Sequence, residues 1–254
     1  MKKTLIKILS LVIAITAVMS FSVGCIDSPK SDFSFAELSN NLGYELTGYT
    51  GESTQVEVPS TYNGKNVVKI ASRAFNNAAI TSVTIPSSVQ TVDSMAFNGC
   101  SALTSVTLNE GLEIIGSSAF KSCINLTSIV IPDSVMQIGD DAFRSCKTLA
   151  NVTMGSGVIS IGGYAFGECW ELLGVDLPNG LETLGDSVFY ECRLITNIVI
   201  PMSVTVLGDS MFRYCDSLEN VYCVAPSQPS GWAISWRAGS DVSSYNVVWG
   251  YLPD

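Results

Sequence analysis

The chain has 254 residues, 47% of them apolar and 14% charged, and a formal net charge of −10. That balance indicates a folded, core-burying protein and excludes a disordered one, while the acidic surface argues against nucleic acid and anionic lipid as partners. Histidine is absent, which removes the commonest general base and the commonest metal ligand together.

The first 25 residues read as an export signal. Lys2, Lys3 and Lys7 precede an apolar run from Ile8 to Met19, and the stretch ends in Ser22, Val23, Gly24 and Cys25. This pattern resembles a bacterial lipoprotein signal, which implies that Cys25 becomes the lipidated first residue of the mature chain. An uncleaved anchor helix is the alternative, because the run from Leu5 to Val23 approaches the ~20 residues that span a bilayer. Either way the remainder is expected outside the cytoplasmic membrane, held by the N-terminal lipid or anchor. Residues 26–42, which open with Asp27, Ser28, Pro29, Lys30 and Ser31, read as a tether.

Beyond the tether the chain repeats one phrase. The segment VTIPSSVQTVDSMAFNGCSALTS, starting at Val83, recurs from Val106, Ile129, Val152, Val175 and Ile198 at intervals of 23 residues, so that six copies fill residues 83–220. Phe97, Phe120, Phe143, Phe166, Phe189 and Phe212 form one column, and Cys100, Cys123, Cys146, Cys169, Cys192 and Cys215 form another. Columns without gaps mean that each residue meets its own copy in the next coil, as in a solenoid.

Within a coil, Leu103, Val106 and Leu108 follow the spacing L-x-x-L-x-L, which predicts a strand of a parallel sheet with Ser105 and Thr107 facing out. A turn follows, as at Pro132, Asp133 and Ser134, and an apolar pair such as Val135 and Ile138 returns the chain to the core. Gly139 and Asp140 then read as a bend and an N-cap for a short helical turn carrying Ala142 and Phe143. The expected fold is a mostly β, α/β solenoid: a right-handed leucine-rich-repeat coil with a parallel sheet on one face and short helical turns on the other.

Solenoid ends need caps. Residues 43–82 read as an N-terminal cap and degenerate coil, expanded around Tyr62 to Asn66. Residues 221–254 read as a C-terminal cap in which Trp232, Trp236, Trp249, Tyr245 and Tyr251 cover the last coil.

The coil wording I-P-x-S-V-x-x-I-G-x-x-A-F-x-x-C-x-x-L, with an opening segment VEVPSTYNGKNVVKIASRAF and a closing segment YCVAPSQPSGW, resembles the BspA-like family of bacterial leucine-rich-repeat surface proteins over about residues 43–254. The resemblance implies a surface or secreted protein linked to adhesion and to binding proteins of a host or neighbouring cell. It does not name the partner.

Eight cysteines outside the cytoplasm raise the question of disulfides. Stacked coils put equivalent Cβ atoms about 4.8 Å apart, beyond the ~3.8 Å of a bridge, so the column reads as buried free thiols. Cys223, eight residues after Cys215, remains a possible partner for it. No metal or cofactor is expected, since there is no C-x-x-C pair and no histidine. Catalytic motifs are likewise absent, and the acid pair Asp140 and Asp141 sits where a cap is expected.

Two surfaces are candidates for binding. On the sheet face, Ser82, Ser105, Ser128, Asn151, Asn197 and Asn220 form one row, and Thr84, Thr107, Val130, Thr153, Asp176, Val199 and Tyr222 the next. Opposite, Trp170, Tyr190, Arg193, Arg213 and Tyr214 replace the small residues of other coils with the types enriched in binding hot spots. Protein binding leads, and a glycan-binding or purely structural envelope role is the alternative.

Overall fold

The computed structural model describes residues 32–39, 41–237 and 245–253. The export signal, Cys25 and residues 26–31 lie outside the described residues. Among the described residues, no helix is long and apolar enough to cross a membrane.

The strands predicted from the L-x-x-L-x-L spacing are present. Gln55–Glu57, Ser82–Ile85 and Ser105–Leu108 pair in parallel, as do Ser128–Val130 with Asn151–Thr153, and Asn197–Ile200 with Asn220–Cys223 and Asn246–Trp249. Register follows the repeat: Ser82 lies beside Ser105, Ile129 beside Val152, and Asn197 beside Asn220. Val83, Ile129 and Ile198 point into the core, as the alternation requires. In the coil of Val175 the ladder shrinks to a single bridge, Val152 to Val175. The flanking residues there are Gly174 and Asp176, two types that weaken a strand by entropy and by poor packing on a pleated surface.

A second sheet, not expected from the sequence, runs the length of the stack. Its parallel strands are Tyr44–Tyr49, Lys65–Ile70, Thr91–Val92, Ile114–Ile115, Gln137–Ile138, Ser160–Ile161, Thr183–Leu184 and Val206–Leu207. These are the segments that return the chain to the core. Val92, Ile115, Ile138, Ile161, Leu184 and Leu207 are buried in one column.

The third side corrects the expectation of short helical turns, for no α-helix occurs among the described residues. Each coil instead carries two residues of positive φ four positions apart, such as Ser118 at 57° and Ser122 at 60°, or Tyr164 at 54° and Glu168 at 60°. Left-handed residues cannot continue a right-handed helix. The main-chain groups are satisfied in alternation. Ala119, Lys121 and Cys123 donate to the carbonyl three residues back, while Ser118, Phe120 and Ser122 donate across to Asp140, Ala142 and Arg144 of the next coil at 2.7 to 2.8 Å. A helix would have consumed those donors within one coil.

Between these walls the six phenylalanines, preceded by Phe75, stack with centroids 4.7 to 6.1 Å apart and interplanar angles of at most 14°. The cysteine column is buried beside them as free thiols, and Cys223 is likewise free rather than bridged to Cys215.

The N-terminal cap begins earlier than expected. Phe33–Glu37, within the span read as a tether, is a strand antiparallel to Tyr44–Tyr49. Phe33 is buried against Tyr49 and Phe75, so this segment covers the first coil and does not hang free. At the other end Trp232, Trp236 and Tyr245 are buried, with Trp236 and Tyr245 edge-on to Phe212. Trp232 is covered in turn by Trp249 at 5.6 Å. Tyr251 departs from the expected cap role: its ring lies against Tyr222 on the sheet face, 4.6 Å between centroids.

Candidate binding surfaces

The bulky residues of the turn side arrange themselves by column. Lys147, Trp170 and Arg193 occupy one position in three successive coils, the position held by Ser101 in the first full coil. Stacking of coils therefore places the Trp170 ring between two cations, with Lys147 Nζ 4.2 Å and the Arg193 guanidinium 4.8 Å from its centroid. The negative face of the indole favours both cations. Arg193 also pairs with Glu191 at 3.1 Å.

A second group crosses the coils diagonally. Tyr190 lies 5.5 Å from Tyr164 on one side and 5.5 Å, edge-on, from Tyr214 on the other. The Arg144 guanidinium covers Tyr164 at 4.7 Å and Arg213 covers Tyr214 at 4.8 Å. Arg144 is fixed from beneath by Glu168 at 2.7 Å and Asp141 at 3.2 Å. Although burial acts against it, bonds from Ser145 and Arg144 hold the Glu168 carboxyl below its ordinary value. Burial and then the neighbouring Glu191 carboxylate raise the Tyr190 hydroxyl above its own.

The five residues singled out from the sequence thus fall into two ring clusters, Trp170 with Arg193 and Tyr190 with Tyr214 and Arg213, bridged by Glu191, which bonds both Arg193 and Tyr190. Arg193 and Arg213 are exposed, and Trp170, Tyr190 and Tyr214 are half-buried. Three members were missed: Lys147, Tyr164 and Arg144. Lys147 stands 23 residues before Trp170, so reading the column along its length would have found it. The diagonal contact of Tyr164 with Tyr190 spans two different columns and carries no such signal.

On the sheet face Thr84, Thr107, Val130, Thr153, Asp176, Val199 and Tyr222 all face solvent, fully or in part. In the neighbouring row the amides of Asn197, Asn220 and Asn246 chain together, Asn220 donating to Asn197 at 2.8 Å and Asn246 to Asn220 at 3.2 Å. The acids weighed for catalysis are engaged structurally. Asp140 accepts from the Gly163 amide at 2.7 Å, and Asp141 pairs with Arg144 and Lys121. No group of acids and cysteines suited to a metal ion occurs among the described residues.

Comparison with known proteins agrees with this architecture. The BspA type leucine rich repeat region matches residues 53–150 and 137–228, with six copies. A solved leucine-rich-repeat protein of T. pallidum is 34% identical, with 75% of this chain and 89% of that chain covered and a TM-score of 0.70. The pneumococcal vaccine antigen PcpA, 19% identical over 85% of this chain and 67% of its own, shares the fold with a TM-score of 0.58. No curated protein matches the chain.

Proposed function

The chain belongs to the BspA-type leucine-rich-repeat proteins, and from that premise we propose that it is an exported, non-catalytic interaction module that binds a protein on a host or neighbouring cell. It is displayed at the cell envelope, anchored through a lipid on Cys25 or through the N-terminal apolar segment. The aromatic and cationic array of the turn side is the contact surface.

One observation carries this reading. The left-handed positions of Tyr164 and Tyr214 recur in every coil and accept many residue types: other coils fill the first with Met95, Ser118, Asp141, Ser187 and Ser210 and the second with Gly99, Ser122, Ser145, Glu168 and Glu191. The backbone therefore asks for no aromatic residue there, and neither tyrosine belongs to the buried core. Tyr, Trp and Arg are the residues that dominate binding energy where proteins meet, and a partly exposed array of them that the repeat does not require is a surface suited to a protein partner. The match to a repeat family, with no catalytic family alongside it, supports a binding role.

The test is binding of the full chain to intact candidate cells before and after their surface proteins are shaved with protease. Loss of binding on shaving supports a protein partner. Binding that shaving leaves undiminished contradicts it.

A further inference from the structure

The sheet face holds a feature that the turn-side array does not use. In the outward row the sequence runs Ser105, Ser128, Asn151, Gly174, Asn197, Asn220, so one coil lacks the side chain that all its neighbours carry. The missing side chain opens a shallow cleft of about 630 Å³ over Gly174, lined among others by Asn151, Leu173, Asp176, Asn197, Tyr222 and Tyr251. A Cβ added at Gly174 would meet nothing within 4 Å, so neither packing nor backbone conformation demands glycine there. Asn151 and Asn197 flank the gap at two strand spacings, about 9–10 Å, which leaves room for a single pyranose ring.

The lining groups are chemically specific. Tyr222 and Tyr251 pack ring against ring at 4.6 Å and both are half-exposed, which offers an aromatic surface with a hydroxyl edge. The Asp176 carboxylate is exposed and makes no hydrogen bond or ion pair among the described residues. The Asn151 side chain is in the same position, so a carboxylate and an amide stand with unused acceptors and donors. Leu173 adds an apolar wall, 57% exposed. An aromatic platform facing a carboxylate and amides matches a sugar, whose C–H face packs on a ring while its hydroxyls bond planar polar groups. The acid and the net charge of −10 select against anionic sugars. A peptide fits less well: the face of a sheet presents no free main-chain edge to extend a strand on, and β-addition takes place at edges.

We propose that the cleft over Gly174 is a binding site for a neutral oligosaccharide, with one ring stacked on the Tyr222 and Tyr251 pair and the hydroxyls of the neighbouring ring held by Asp176, Asn151 and Asn197. It lies on a different face from the turn-side array and uses none of its residues, so either reading can fail without the other.

Gly174→Asn tests it, because it restores the residue type of the neighbouring coils and fills the cleft where no clash arises. The full chain and its variants are applied to one array carrying neutral, amino-bearing and sulfated or sialylated oligosaccharides together with immobilised peptides. The expected result is retention on neutral oligosaccharides that falls at least tenfold with Gly174→Asn and with Asp176→Ala, at unchanged melting temperature, and that Tyr190→Ala leaves intact. Absence of binding to any neutral oligosaccharide, or binding that persists in Gly174→Asn, overturns the proposal. Binding to peptides alone that Gly174→Asn abolishes overturns it in favour of a peptide site.

Discussion

The thiol of Cys123 donates to the main-chain carbonyl of Phe97, one coil earlier, at 3.3 Å. The same bond recurs from Cys146 to Phe120, Cys169 to Phe143, Cys192 to Phe166 and Cys215 to Phe189, at 3.0 to 3.3 Å. This explains why the column is cysteine rather than alanine or valine: the site is small and apolar, and it faces a buried carbonyl that a weak S–H donor can reach.

The thiols should accordingly be inert in the native protein. Burial pushes Cys100, Cys215 and Cys223 up to about 12 and holds Cys169 and Cys192 well above the ordinary value. The contact with Cys146, together with burial, does the same for Cys123. A thiol reagent at neutral pH should label none of the seven cysteines from Cys100 to Cys223 in the folded chain, and all seven after denaturation without reductant. Mass spectrometry finding bridges between adjacent coils is the contrary result.

Two glycines separate the demands of the stack from those of the surface. At Gly139 an added Cβ would lie 2.6 Å from the Ser117 amide nitrogen and 2.8 Å from the Gly116 carbonyl carbon, main-chain atoms that cannot swing aside. Gly139→Ala should destabilise by about 1–3 kcal/mol through overpacking. Gly174→Ala, with open space around it, should stay within about 0.5 kcal/mol. Chemical denaturation of the two variants side by side checks the contrast.

What the sequence made legible follows from periodicity. A core residue that recurs every 23 positions announces itself, so the Phe and Cys columns and the sheet of Ser105 and Thr107 could be read directly. The second sheet could not, because strands of two residues such as Ile114–Ile115 show no alternation. The left-handed turns were hidden because Ser118 and Ser145, not Gly or Asn, adopt positive φ. There the bonds between coils, and not local propensity, set the backbone. On the surface, the column of Trp170 was visible, and following it back 23 residues reaches Lys147. The meeting of Tyr251 with Tyr222 joins the sheet face of the repeats to a segment that does not repeat, and no spacing rule reaches it.

Acid should loosen the turn side through Glu168. Its carboxyl is held below the ordinary value of 4.5, so its contribution to stability is fully present above that pH and is lost as pH falls through the lowered folded value. The melting temperature of the native chain should drop between about pH 5 and pH 3. Glu168→Gln should be less stable at neutral pH and show a smaller drop over the same interval. Parallel curves for the two proteins would assign the acid sensitivity elsewhere, for instance to Asp93, whose carboxyl is also lowered by Lys69 and Ser94 despite its burial.

Anchoring is tested at Cys25. If it carries the lipid, Cys25→Ala should release the protein into the medium or stall it as a larger precursor, as read by fractionation and intact mass. Membrane retention and an intact mass that differ from the native chain only by the substitution itself would favour the anchor helix from Leu5 to Val23.

The paired variant Trp170→Ala with Tyr190→Ala separates a protein-binding surface on the turn side from packing of the repeat. Once shaving has identified a protein partner, its affinity for the native chain and the variant is measured by titration, with the melting temperature of each recorded alongside. The affinity of the variant should be at least tenfold weaker, the loss of about 1.4 kcal/mol or more expected of a hot spot, with the melting temperature within a few degrees. Unchanged affinity, or a collapse in melting temperature that shows Trp170 and Tyr190 to be structural, would contradict a binding role for this surface.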